Sequence, residues 1–185
     1  MKLTVGNKIS YAGQGPCLVG SVVKRVIDGK PTEFYRLFVL TYGGGELLIP
    51  VDKPQSRGIR KLLEKSEIPK LLGRLNKVSA SDEKWQQRTR ENSLLFNSGS
   101  AYDLAEIVGS MSALRETKRF QPSDRQTLER AKDLLACEIS EVTGETKSTA
   151  EEKIDKVLAE RKANRKACKE IGADWPEMER HGRVF

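Results

Sequence analysis

Residues 17–42 read CLVGSVVKRVIDGKPTEFYRLFVLTY. Cys17 to Ile27 is dense in Val, Leu and Ile, and Glu33 to Tyr42 is dense in aromatic and β-branched residues. Both compositions favour the pleated, half-buried surface of a strand. Asp28-Gly29 between them suits a two-residue turn that needs positive φ. The stretch therefore predicts a β-hairpin. Upstream, Lys8-Ile9-Ser10-Tyr11 is a short strand that ends at Gly13-Gln14-Gly15-Pro16. Downstream, Gly43-Gly44-Gly45 makes the next turn and Glu46 to Val51 a last strand. The glycine run lacks the lysine of a phosphate loop and leads into a strand, so it reads as a turn. Four or five short strands with tight turns predict a small antiparallel barrel over residues 1–55.

Beyond a linker at 52–57, which contains Pro54 and Ser56, the period changes. Ile59, Leu62, Leu63, Leu71, Leu72 and Leu75 give partial helical stripes interrupted by Pro69, so the linking helices over 56–78 read as two short helices or one broken helix. Residues 79–143 read as a helical module. Ser79 and Asp82 are candidate caps for a helix through Trp85, and Ser98-Gly99-Ser100 ends it. Ser100-Ala101-Tyr102-Asp103 has capping form, and Leu104, Ile107, Val108, Met111 and Leu114 follow at helical spacing. Pro122-Ser123-Asp124 opens a third helix, with Leu128, Ala131, Leu134, Leu135, Ile139 and Val142 on its apolar side, and Gly144 closes it. The extension 144–185 starts a further helix near Thr149, with Ile154, Val157 and Leu158 apolar. It then turns basic over Arg161–Lys169 and ends in a segment holding Trp175, Pro176 and His181. The fold class expected is α+β, a barrel followed by a helical bundle.

The chain of 185 residues has one histidine, three cysteines and a net charge of +7. His181 stands alone, and Cys17, Cys137 and Cys168 form no C-x-x-C, so neither a catalytic triad, a disulfide framework nor a metal site is expected. No cofactor is implied, and an enzyme is the least supported class. No apolar run is long enough to cross a membrane and none follows Met1, which predicts a soluble cytoplasmic protein. The charge is uneven: the excess of +7 lies in residues 1–75, while 76–143 is close to neutral.

Trp85 stands out against that neutral background. On a helix its face carries Arg88, Thr89, Asn92 and Phe96, so it has almost no apolar company. An indole beside cations suits a wedge that separates stacked bases on a phosphate-rich partner. Two plainer readings stand beside it: a packed core tryptophan, and arginines that only solvate a helix face.

In this setting the chain resembles the CarD/CdnL family of bacterial RNA polymerase-binding transcription regulators. Three stretches carry the resemblance. The first is Val5-Gly6-Asn7-Lys8-Ile9-Ser10-Tyr11 with Gly13-Gln14-Gly15. The second is Phe34-Tyr35 through Ile49-Pro50-Val51, then Gly58-Ile59-Arg60. The third runs from Trp85 through Arg88, Arg90, Asn92, Ser98-Gly99, Ala105-Glu106-Ile107-Val108, Leu114, Arg125, Ala131 and Leu134-Leu135 to Glu138-Ile139. The resemblance implies a Tudor-like domain that docks on the β subunit of RNA polymerase, with Arg25, Leu48 and Pro50 at the contact. It also implies a helical domain that meets promoter DNA at the upstream edge of the melted region, without reading sequence. There Trp85 would be the wedge, and Arg88, Arg90, Arg125 and Arg130 the backbone contacts. A nucleoid-associated monomer acting by stabilising the open promoter complex is the implied function.

The chain departs from the family pattern at Ala12, where proline usually follows the tyrosine, at Pro16-Cys17, and at Leu48, where some relatives carry arginine. Two other functions fit the residues: a free-standing nucleic-acid-binding module that uses the basic strand region, and an adaptor that recruits proteins through 144–185.

Overall fold

The computed structural model describes residues 3–41, 43–52, 58–77, 84–116 and 120–170, with side chains described up to 165. Tyr42, Pro54, Ser56, Ser79, Asp82, Trp175, Pro176 and His181, and the side chain of Cys168, lie outside that set. Among the described residues five strands are followed by five α-helices: β1 Lys8–Tyr11, β2 Gly15–Ile27, β3 Lys30–Val39, β4 Glu46–Pro50, β5 Ile59–Lys61, α1 Ile68–Lys77, α2 Trp85–Ser98, α3 Ala101–Leu114, α4 Pro122–Thr143 and α5 Lys147–Glu170. The class is α+β.

The strands form one antiparallel sheet in the order β4-β3-β2-β1-β5. Asp28 and Gly29 both take positive φ, 50° and 74°, which is the turn that the hairpin needs. The inner half of β2 is buried and its outer half, from Ser21, is largely exposed. A register shift between Val19 and Val22, one extra residue on β2, marks the change. Ile9, Cys17, Val19, Tyr35, Leu37, Ile49 and Ile59 with Leu3 make the sheet's own core. The expected barrel is not closed among the described residues: β4 and β5 are the edges. β4 ends on Pro50, which has no N–H to extend a ladder, and β5 is three residues long and pairs with β1. Ile59 thus belongs to a strand rather than to a helix, and the sheet runs past residue 55.

Pro69 does not break a helix. It sits in the first turn of α1, where no intrahelical donor is needed, and Leu71 and Leu75 one turn apart are fully buried. The helical core is wider than 79–143. Ile68, Leu71 and Leu75 from α1, and Ala150 and Ile154 from α5, join α3 and α4 in one apolar cluster. Arg161, which opens the basic run of the sequence, is buried, and its guanidinium donates to the carbonyls of Leu75 at 3.3 Å and Gly109 at 2.8 Å. Burial, then the neighbouring Arg165, lowers its pKa. Gly99 ends α2 and Gly144 ends α4, both left-handed at φ 73° and 77°. Ser100 caps α3 by accepting from the Asp103 N–H.

The sheet and the helices meet along α4. Arg60 of β5 forms an ion pair with Glu138 of α4, Lys8 of β1 pairs with Glu141, and Arg130 donates to the carbonyl of Gly13 at 3.0 Å.

Candidate nucleic-acid interface

Trp85 is the first residue of α2, and 45% of its surface is exposed. Its Nε1–H donates to the Ser123 hydroxyl at 3.0 Å, across to the first turn of α4. The Thr89 hydroxyl donates to the Trp85 carbonyl at 2.9 Å. The indole edge is therefore held while much of the ring faces solvent.

The polar stripe below it explains both facts. Arg88 and Asn92, one and two turns along from Trp85, are buried. Arg88 Nη2 donates to Asp124 Oδ2 at 3.0 Å, and both side chains are under 5% exposed. The same Asp124 oxygen accepts the Gln121 N–H at 2.9 Å and closes the capping box of α4. Asn92 donates to the Met111 sulfur at 3.7 Å. The stripe that looks solvated in sequence faces inward, made acceptable there by its partners. Trp85 lies at its N-terminal end, beside the start of α4, and so is only half covered.

The expected cations separate into two groups. Arg90 and Arg125 are exposed; Arg90 has no ion pair among the described residues, and Arg125 meets Glu129 one turn on at 2.8 Å. That hydrogen bond, and then the Glu129 charge, raise the Arg125 pKa. The other two do not stand free. Arg88, expected at a phosphate, is walled in against Asp124. Arg130 is exposed, but it reaches the Gly13 turn and lies 5.8 Å from the centre of the Phe96 ring. Between α2 and α4 runs a cleft of about 450 Å³, lined by Thr89, Ser93, Phe96, Asn97, Gln126 and Arg130 among others.

On the sheet, Arg25 is opposite Thr32, Leu48 opposite Arg36 and Pro50 opposite Phe34. Thr32, Phe34 and Arg36 alternate along β3, so all three candidate polymerase contacts share one face of the sheet. The core residues Tyr35, Leu37 and Ile49 are on the other. Arg25 stands on the exposed outer arm, and Leu48 and Pro50 are half-buried on edge strand β4. That arm also exposes Val22, Val26 and Ile27.

Ser123, Asp124, Arg60 and Glu138 were not assigned roles from sequence alone. Asp124 had a signal, being three residues after Gln121 at a proline-marked helix start. Among the described residues no cluster of His, Cys, Asp and Glu could hold a metal ion. Cys17 and Cys137 are buried free thiols, and burial pushes each up to about 11. No helix among the described residues is long and apolar enough to cross a membrane.

Residues 70–155 match the family model described as CarD, C-terminal domain. That span runs from inside α1 to inside α5, so it coincides with the helices that share one core and includes Trp85, Ser123 and Asp124. The match supports membership of the CarD/CdnL family of transcription factors through this domain.

Proposed function

We propose that the chain binds the RNA polymerase β subunit through its sheet and stabilises the open promoter complex through Trp85. In this reading the sheet is the Tudor-like docking module, with Arg25, Leu48 and Pro50 on the contacting face. The helical unit lays the indole into the minor groove at the upstream fork, where bases are already partly unstacked. Arg90 and Arg125 hold phosphates on either side of it, and Arg88 acts from within, through Asp124. The half-exposed, tethered indole carries the reading: a large apolar ring is kept at the surface by a hydrogen bond. The near-neutral charge of 76–143 fits a DNA contact that is weak alone and effective once the sheet is anchored. No chemistry is required. Favouring the open form by about 1.4 kcal/mol changes the open-to-closed ratio about tenfold. Such a protein works in the cytoplasm, at the nucleoid.

The test measures the lifetime of open complexes with wild-type protein and with Trp85→Ala. The variant is expected to lose most of the lifetime gain while still copurifying with polymerase, and equal lifetimes would remove the wedge. Arg25→Glu or Leu48→Asp is expected to abolish polymerase pull-down with the helical unit still folded. A gel shift by the protein without polymerase, steeply dependent on salt, would favour a free-standing nucleic-acid module instead.

A further inference from the structure

Arg60 concentrates the sheet-to-helix junction in one guanidinium. Nη1 and Nη2 fork onto the two Glu138 carboxylate oxygens at 2.6 and 2.7 Å. Nε donates to the carbonyl of Gly99 at 2.5 Å. Glu138 Oε1 also accepts the Leu63 N–H at 3.2 Å, and its side chain is 1% exposed. Gly99 is the C-cap of α2, the helix that begins with Trp85. One side chain of β5 therefore holds the far end of the tryptophan helix and the middle of α4 together.

The backbone around it is closely fitted. A Cβ on Gly58 would lie 2.6 Å from the Cβ of Ala12, and one on Gly99 would lie 2.8 Å from the Gly58 carbonyl oxygen. The Ala12 N–H donates to that same carbonyl at 3.2 Å. Three chain segments meet here with no room for a side chain at either glycine.

Glu138 is buried while the Arg60 side chain is 26% exposed, and an ion pair with a buried partner is a poor way to gain stability, because desolvation offsets much of the attraction. What a fork of two parallel hydrogen bonds supplies is direction. The other ties across this junction, Lys8 to Glu141 and Arg130 to Gly13, involve exposed cations. We infer that Arg60 and Glu138 are positioning residues: they fix the angle between the sheet and the helical unit, and so aim Trp85. The inference rests on the reading that the sheet is anchored on a partner while Trp85 acts on DNA. An anchored module delivers its second contact only if the junction points it correctly.

The experiment uses the full chain with polymerase and a promoter. Arg60→Lys keeps the charge but loses the fork, and Glu138→Gln keeps the shape but loses the charge. Each is made alone and also together with Lys8→Cys and Glu141→Cys, which allow a short bismaleimide to clamp the same junction. Polymerase pull-down, the angular spread seen by small-angle scattering and open-complex lifetime are measured, with Trp85→Ala beside them. Both variants are expected to bind polymerase, to scatter as a broader ensemble, and to shorten the lifetime several-fold toward that of Trp85→Ala. Clamping is expected to restore it, which a merely local loss of packing would not allow. If Trp85→Ala shortens the lifetime while Arg60→Lys and Glu138→Gln leave it at the wild-type value, the positioning role is overturned and the wedge stands. If clamping a shortened variant restores nothing, the positioning role is likewise overturned. If Trp85→Ala has no effect, the underlying reading falls and takes this inference with it.

Discussion

Replacing Arg88 with methionine separates a structural arginine from a phosphate-binding one. Arg88 Nη2 lies 3.0 Å from Asp124 Oδ2, and both groups are almost completely removed from water. Removing the cation leaves a buried carboxylate without its counter-charge, which costs about 3–5 kcal/mol. In a chain of this length each kcal/mol moves the melting temperature by roughly 2–4 °C, so Arg88→Met is expected to lower it by about 10 °C. Arg90 is exposed with no ion pair among the described residues. Arg90→Met is expected to change stability by no more than about 0.5 kcal/mol. The salt dependence of open-complex stability runs the other way. Each phosphate contact contributes about 0.9 to the slope of log affinity against log salt, so Arg90→Met is expected to reduce the slope by about that much and Arg88→Met to leave it unchanged. Calorimetric melting and lifetimes over a salt series supply both axes. Adding Asp124→Asn to Arg88→Met should cost less than the two single losses combined, because the second change relieves the unpaired charge. An Arg88→Met protein that melts like wild type and loses salt dependence would refute the burial argument.

Arg161→Met removes the donor to the Leu75 and Gly109 carbonyls and is expected to cost about 1–3 kcal/mol. Amide exchange should then accelerate in α5 and leave the sheet unchanged; uniform acceleration would contradict a local role. Cys17 and Cys137 are expected to resist a thiol reagent at pH 8 until the protein is unfolded, since burial raises both thiols from 9.0 to about 11. The sign follows from linkage: the folded state keeps these protons longer, so their stabilisation is complete below pH 9 and is lost as pH rises toward 11. Urea unfolding across that window checks it, and a stability that stays flat or rises would contradict it.

Much of the sheet was readable because strand signals are local. Asp28-Gly29 demands positive φ, and Lys8–Tyr11 alternates between short, clear turns. Ile59-Arg60-Lys61 was not readable, since three residues hold too few positions to show a period of two, and pairing with β1 decides their state. Pro69 looks like an interruption in sequence because a proline inside a helix and one in its first turn look alike until the start of the helix is known. The exposure of Trp85 was legible as an indole without apolar neighbours. The difference between Arg88 and Arg90 was not. Two residues apart on a helix, they point to different sides, and the inward side is recognisable only through Asp124, which comes from another helix. Arg161 eluded the reading for the same reason: its acceptors are main-chain carbonyls of α1 and α3, which leave no mark in composition.

A tryptophan side chain has a single polar atom, and that atom can only donate. In this molecule the donor is already committed to the hydroxyl of Ser123. What protrudes is hydrocarbon, blind to the pattern of donors and acceptors along a groove floor. Laid in a groove as proposed, it would sense how wide the groove is and how readily a step gives way, but it would not spell a letter of the sequence. On that reading any choice among promoters would be made by how easily their DNA deforms, or by something other than this ring.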